Sequence, residues 1–179
     1  MALEAWLLDI GKIEGVDVES WLLKILKDSN NVMATAVVAS ICNAYPEKSG
    51  RAGLALLSAR ELISMDRARM AQEHSHSVMS EFLPGIGINR LFEDERKASD
   101  ALPHRKHDLD ALAVILQLGT GREKVQAMID GHRAALPPVE EQTEAHRLWR
   151  LALHRMDVRG FRAVDTPSPT VSGETVECA

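Results

Sequence analysis

The sequence predicts an all-α protein built from antiparallel helical hairpins. In most segments of the 179-residue chain, hydrophobic residues recur at intervals of three and four, and no segment shows the sustained alternation of a strand. Aromatic residues make up only 4% of the chain, so the core must consist mainly of Leu, Ala, Val, Ile and Met, which suit close-packed helices. Because short loops join the helical segments, successive helices are expected to pack antiparallel.

The N-terminal segment is expected to form two short helices. Leucines four residues apart mark the first helix. Gly11 and Gly15 disfavour helix beyond them and are expected to end it. Asp17 can cap the second helix, because a carboxylate accepts hydrogen bonds from free backbone N–H groups. The apolar positions of this second helix follow the helical period, as Val18, Trp21, Leu22, Ile25 and Leu26.

A third helix is predicted from Val32 to Ala44, ending before Pro46. A fourth follows Ser49 and Gly50, and residues 66–69 are its solvated continuation; its apolar stripe comprises Leu54, Leu57, Ala59, Leu62 and Ile63. The stretch DSNNVMATAVVASICNAYPEKSG combines a polar cap, a Val/Ala-rich run and a proline break. It resembles the inner helix of a HEAT-type repeat, so the fold is expected to be HEAT-like, a fragment of an α-solenoid, although periodicity alone does not define the repeat type.

The second half of the chain is also expected to be helical. One helix carries Leu109, Leu112 and Leu116, and the next begins at a capping box of Thr120 and Glu123. Two prolines then break the chain before a long helix over residues 139–157. The predicted organisation is N-terminal helical hairpins in 1–83, an irregular charged connection in 84–103, a C-terminal helical unit in 104–165 and a disordered tail in 166–179.

Composition excludes several classes of protein. The net charge of −5 argues against a dedicated nucleic-acid-binding domain, which usually carries a basic excess. The two cysteines, Cys42 and Cys178, imply no disulfide framework. Glu4 and Asp9 interrupt the opening apolar residues, so no signal peptide is predicted, and no apolar run approaches the length of a membrane span. A cytoplasmic protein is expected.

The stretch PHRKHDLD places two histidines and two aspartates within eight residues. His104 and His107 are three apart, the spacing at which helical side chains can share a metal ion. However, Arg105 and Lys106 would repel a cation, and Asp108 has an ordinary role as the cap of the following helix. The favoured interpretation is a polar helix entrance, with no metal and no cofactor.

The adjacent His107 and Asp108 raise one enzymatic alternative. HD-domain phosphohydrolases are all-helical and hold metal through a His, a His-Asp pair and a further Asp. His74 or His76 and Asp157 would have to complete that set here. The stretch LLDIGK resembles the surroundings of the family's motif, but it lacks the His before Asp9.

Other catalytic motifs are missing from the sequence. Two glycine-rich spots, Gly85-Ile-Gly87 and Gly119-Thr-Gly121, do not match a phosphate-binding loop, and no G-x-S-x-G nucleophile motif occurs. Cys42 lies in an apolar run without a nearby histidine, which does not favour a thiolate nucleophile. The chain is therefore not expected to be an enzyme.

The candidate binding site is on the last predicted helix, HRLWRLALHRMD. At 3.6 residues per turn, Trp149, Leu153 and neighbouring apolar residues share a core face. Arg147, Arg150 and His154 gather on the opposite face, where they could bind phosphate or an acidic partner surface. The alternative is an ordinary solvated face, paired with the upstream acids Glu140, Glu141 and Glu144.

Two longer stretches carry a family resemblance: SNNVMATAVVASICNAYPEKSG, and the segment from LPHRKHDLDALAVILQLG to HRLWRLALHRMDVR. They resemble a helical region of large bacterial ATP-binding proteins of the NACHT/STAND type, some of which are antiphage sensors. In such proteins a helical array recognises a ligand or partner behind a P-loop NTPase module. No Walker motif occurs in this chain, so the resemblance implies no ATPase activity for it.

The sequence therefore predicts a non-catalytic helical scaffold or protein-interaction module, which the resemblance places within a larger bacterial NTPase. The expected partner is a protein or the remainder of a larger chain, with no membrane and no nucleic acid. Two alternatives stay open: a metal-dependent HD-like phosphohydrolase, and an adaptor that binds nucleotide or nucleic acid through the basic C-terminal helix.

Overall fold

A computed structural model of the protein describes residues 2–82, 98–162, 168–169 and 175–176. The predicted all-α fold is confirmed. The helices are α1 (Ala2–Gly11), α2 (Val18–Asp28), α3 (Val32–Ala44), α4 (Pro46–Ser58), α5 (Arg60–Phe82), α6 (Leu109–Leu118), α7 (Arg122–Ala134) and α8 (Glu144–Met156). Single 3₁₀ turns occupy Pro103–Lys106, Val139–Glu141 and Val158–Gly160, and residues 98–100 are also helical. Within the predicted tail, Ser168–Pro169 pairs antiparallel with Thr175–Val176.

The second and third helices begin at the polar residues that the sequence suggests. The Asp17 carboxylate accepts a hydrogen bond from the Ser20 backbone N–H at 3.0 Å, which confirms it as the cap of α2. The side chain of Asn31 accepts one from the Met33 N–H at 2.8 Å and caps α3. These caps satisfy N–H groups that have no partner inside their own helix.

The predicted fourth helix is wrong in its bounds, because two helices occupy that region. Pro46 opens α4, where its fixed φ and missing N–H suit the first turn. Gly50 interrupts the helical geometry with a φ of 44°, a conformation that glycine adopts readily. The backbone is extended at Ala59, so Leu54 and Leu62, predicted on one helix, belong to α4 and α5. Of the predicted irregular connection in 84–103, residues 98–100 are helical and residues 84–97 lie outside the described residues.

Two predicted helix starts in the C-terminal half are also wrong. Gly121 precedes α7 and no side chain caps that helix, so Thr120 and Glu123 do not form the expected capping box. The long helix predicted over 139–157 is divided into a 3₁₀ turn and α8. Here Thr143 and His146 form a reciprocal cap, in which the Thr143 N–H donates to the His146 ring at 3.2 Å. That cap fixes the start of α8, because it satisfies the backbone N–H groups of both Thr143 and His146.

One continuous core joins the two halves of the chain. Helix α6 packs against α3, α4 and α5 on one side and against α7 and α8 on the other. Its buried side chains Leu109, Leu112 and Ala113 therefore lie at the centre of the apolar cluster. Ion pairs add links between distant elements, since Arg105 binds Glu4 of α1 at 2.6 Å and Arg155 of α8 binds Asp110.

None of the described helices combines the length and the apolar character that crossing a membrane requires.

Candidate functional site

The two faces of α8 differ in the way the sequence predicts. Trp149, Leu153 and Met156 are buried in the core. Trp149 also meets the His132 ring edge to face, with centroids 5.2 Å apart, and the Arg60 guanidinium lies 5.5 Å from its ring centroid. These contacts fix the rotation of α8 about its own axis. In that rotation Arg147, Arg150 and His154 face the solvent.

The structure places all three predicted binding residues, Arg147, Arg150 and His154, in one surface groove. Helix α7 and the turn before α8 complete the groove, which has a volume of about 600 Å³ and whose remaining walls are Arg133, Val139, Gln142 and Leu151. None of these lining residues is acidic. We call this surface the basic groove.

The arginines of the basic groove are not paired with the upstream acids. Within the described part of the chain, no ion pair joins Arg147 or Arg150 to Glu140, Glu141 or Glu144. The helix starts only at Glu144, so Glu140 and Glu141 lie outside it and lose the one-turn spacing that such pairs need. The pairing with upstream acids that the alternative expects is therefore not seen among the described residues, although both arginines are exposed to solvent, as an ordinary solvated face requires.

Arg133 lies at one wall of the basic groove and is held by Asp157. Its Nη1 atom lies 2.6 Å from Asp157 Oδ2, and Arg159 Nε donates to Asp157 Oδ1 at 2.8 Å. Arg159 also binds Asp130 of α7 at 2.6 Å. Hydrogen bonds from the Arg159 side chain hold the pKa of Asp157 well below its usual range, so this carboxylate stays charged.

Gln142 provides a neutral polar group on the same surface. Its side chain is buried, and Nε2 donates to the Pro137 carbonyl at 2.8 Å. Its Oε1 atom has no hydrogen-bond partner among the described residues. Sequence reasoning missed both Arg133 and Gln142, because each reaches the groove only through the packing of α7 and the preceding turn against α8.

Apolar side chains accompany the basic ones on the exposed side of α8. Leu148 and Leu151 are 56% and 51% exposed, and Val139 is 59% exposed. Isolated exposed leucines are common, but here they lie next to two arginines. Such a combination of charged and apolar groups can bind a carboxylate-bearing chain and remove apolar surface from water at the same time.

The stretch PHRKHDLD is a helix entrance, as the favoured interpretation expects. Its first four residues form a 3₁₀ turn, and Asp108 caps α6 by accepting from the Ala111 N–H at 2.9 Å. A second carboxylate at this helix start, Asp66 of α5, accepts from the Leu109 N–H at 2.8 Å. The sequence shows no signal for Asp66, since its role depends on how α5 packs against α6.

Of the residues nominated for an HD-like metal site, His107, Asp108 and Asp157 do not form one within the described part of the chain. The Asp157 carboxylate is occupied by two arginines, and the His107 carbonyl accepts from Asn43 Nδ2 at 3.2 Å. No group of three or more potential metal ligands occurs within the described residues. The side chains of His74 and His76 lie outside them.

The other motifs also have structural explanations or fall outside the described chain. Burial raises the pKa of the Cys42 thiol to about 12, which keeps it protonated and unreactive. Gly119 and Gly121 form the short connection between α6 and α7. The pair Gly85 and Gly87 lies outside the described residues.

A comparison with known protein families and with curated proteins found no match for this chain. Function is therefore inferred from the chemistry that its exposed side chains can bind.

Proposed function

We propose that the protein is a non-catalytic helical interaction module that binds an acidic segment of a partner protein along the basic groove. The observation that carries this proposal is the basic face of α8, where Arg147 and Arg150 form no ion pair with any of the described residues and lie beside exposed Leu148 and Leu151. Arginine suits this role because its planar guanidinium binds a carboxylate through two parallel hydrogen bonds.

The mixture of groups in the basic groove favours a protein over a nucleic acid. A nucleic-acid surface gains most of its affinity from many phosphate contacts, and a net charge of −5 on the whole chain opposes them. Protein interfaces instead combine arginine with apolar side chains such as Leu151 and Val139. Burial of those side chains by a partner would add to the charge interaction.

The resemblance to helical arrays of NACHT/STAND-type bacterial proteins supports the same role. In that setting the module would be the recognition part of a larger cytoplasmic chain, with a HEAT-like arrangement of its helices. The basic groove would then bind an acidic segment of the recognised protein or of the remainder of that chain. ATP binding would belong to another module, because this chain has no Walker motif.

A charge-reversal experiment tests the proposal. A fluorescein-labelled peptide of alternating Glu and Leu is titrated with the protein at low ionic strength, and binding is followed by fluorescence anisotropy. Arg147→Glu with Arg150→Glu should weaken binding by about tenfold or more, because two attractive contacts become repulsive. The matched control, Lys27→Glu with Lys124→Glu, changes the net charge equally at two other exposed sites and should bind as the wild type does.

Comparison of the two double variants distinguishes binding in the basic groove from a general effect of net charge. Both double variants should keep the helical circular dichroism spectrum, because exposed charges contribute little to stability. An equal loss in both variants, or no binding by the wild type, would contradict the proposal. Tighter binding of a single-stranded oligonucleotide with the same number of charges would assign the basic groove to nucleic acid instead.

A further inference from the structure

A second opening lies between α3 and α5, far from the residues of the basic groove in the chain. Its volume is about 220 Å³, and its lining is mostly aliphatic. We call it the α3–α5 pocket; it is lined by Val32, Thr35, Ala36, Ala39, Leu56, Leu62, Met65, Asp66, Arg69 and Leu109.

Small side chains keep the α3–α5 pocket open. The lining residues of α3 recur three and four apart, so they form one stripe along the helix, with Ala36 and Ala39 at its middle. On the opposite wall, Leu62 and Met65 of α5 follow the same spacing. Longer side chains at the two alanine positions would fill the space between the helices.

The α3–α5 pocket has a polar end. It shares four wall residues, Ala36, Ala39, Asp66 and Arg69, with a smaller cavity of about 50 Å³. Around that cavity, four buried polar atoms have no hydrogen-bond partner among the described residues: Asn43 Oδ1, His104 Nε2, Arg105 Nε and His107 Nδ1. Unpaired buried polar atoms cost free energy, and a ligand group or water molecule that satisfies them recovers it.

Asn43 is the most informative of these side chains. It is only 6% exposed, and its Nδ2 atom is already used by the His107 carbonyl. The remaining Oδ1 atom can only accept a hydrogen bond, whereas Arg105 Nε can only donate one. A group that complements both atoms must therefore donate and accept, as an amide or a hydroxyl does.

The walls of the polar end are electrically balanced. Glu4 pairs with Arg105 at 2.6 Å, and Asp66 pairs with Arg69 at 2.8 Å. Burial lowers the pKa of His104, which favours its neutral form. A charged ligand would lose its hydration without finding a free counter-charge, so the pocket favours a neutral one.

We propose that the α3–α5 pocket binds a small neutral amphiphile, with its hydrocarbon part against the aliphatic walls and its amide or hydroxyl group at the polar end. The polar group reaches the unpaired atoms directly or through a water molecule in the smaller cavity. An apolar cavity of about 150 Å³ can hold benzene, so this pocket suits a chain of about six to eight carbons. The proposal does not depend on the basic groove.

Protein NMR with hexanamide as the probe tests this inference. Titration should produce saturable shifts of backbone amides in α3 and α5. Hexanoate has the same chain but a charged head, and it should bind about tenfold more weakly or less. Ala36→Leu fills the pocket and should abolish hexanamide binding without lowering the melting temperature, whereas Ala71→Leu, on the exposed surface of α5, should bind as the wild type does.

Several results would overturn the inference. They are the absence of saturable shifts with hexanamide, unchanged binding by Ala36→Leu, and tighter binding of hexanoate than of hexanamide. Self-association of the wild type that Ala36→Leu removes would assign the pocket to a second copy of the chain. If Ala36→Leu does not fold, Met65→Glu places a charge at the half-exposed mouth of the pocket and should abolish hexanamide binding in the same way.

Discussion

Asp157 shows how a single side chain joins α8 to α7. It is 3% exposed, and its two oxygens accept hydrogen bonds from Arg133 and Arg159 at 2.6–3.0 Å. Arg159 extends the same network to Asp130. The carboxylate therefore stabilises the end of α8 and also positions Arg133 at the wall of the basic groove.

We expect Asp157→Asn to lower the free energy of unfolding at pH 7 by about 1–2 kcal/mol, because it weakens charge-assisted hydrogen bonds to arginines that water can partly reach. Hydrogen bonds from Arg159 lower the folded-state pKa of Asp157, so its contribution is fully present above its unfolded pKa of about 3.9 and is lost as the pH falls through the lower folded value. Urea denaturation from pH 7 to pH 3 measures the difference between variant and wild type.

That difference should stay constant down to about pH 5 and shrink below about pH 4. Asp9→Asn serves as the control, because the Asp9–Lys12 pair is exposed and should contribute little. A difference for Asp157→Asn that does not change with pH would mean that the charge of Asp157 is not the cause.

Helix starts differ in whether a polar side chain satisfies the free N–H groups, and two starts in this chain show the contrast. Helix α6 has two carboxylates at its N-terminus, Asp108 from the preceding residue and Asp66 from α5. Helix α7 has no side-chain cap, although Thr120 and Glu123 match the sequence pattern of a capping box. The backbone around Gly121 keeps the Thr120 hydroxyl from that role, since the helix starts one residue too late for it.

Substitution of each residue by alanine tests this difference. Asp108→Ala should lower the free energy of unfolding by about 1 kcal/mol, the usual loss for an N-cap. Thr120→Ala should change it by less than about 0.5 kcal/mol, because Thr120 is exposed and caps nothing. Urea denaturation of both variants gives the comparison, and equal losses would indicate that the capping box forms in solution after all.

For the molecule as a whole, the shared core predicts that both halves of the chain unfold together. Leu112 and Ala113 of α6 are fully buried between the N-terminal hairpins and the C-terminal helices. Neither half can separate without exposing these side chains, and a core of this kind normally unfolds in one cooperative transition. The tryptophans report on both sides, because Trp6 and Trp21 lie on α1 and α2 whereas Trp149 lies on α8.

Variants that keep tryptophan in only one half of the chain measure this cooperativity by fluorescence. The variant Trp149→Phe retains the N-terminal reporters, and the double variant Trp6→Phe with Trp21→Phe retains the C-terminal one. Each should show the same urea midpoint by fluorescence as by far-ultraviolet circular dichroism of the same variant. A fluorescence midpoint that departs from the circular dichroism midpoint would show that the halves unfold independently.

The periodicity of the sequence was sufficient to predict the helical fold, the caps at Asp17 and Asp108, and the two faces of α8. These features depend on residues within one or two helical turns of each other, so the local sequence is enough to predict them. The same pattern failed at Ala59, where the backbone is extended and α4 ends, and at Thr120, because α7 begins one residue later than the capping box requires.

The sequence by itself therefore determined that the chain is helical, where α2 and α6 are capped, and which side of α8 carries the charge. Only the tertiary structure decided that Arg133 and Gln142 join the basic groove, that Asp66 caps α6, and that small residues leave a pocket between α3 and α5. Each of these arrangements joins residues that are distant in the chain. Their positions depend on how side chains of different helices fill one common core, a property that no local spacing encodes.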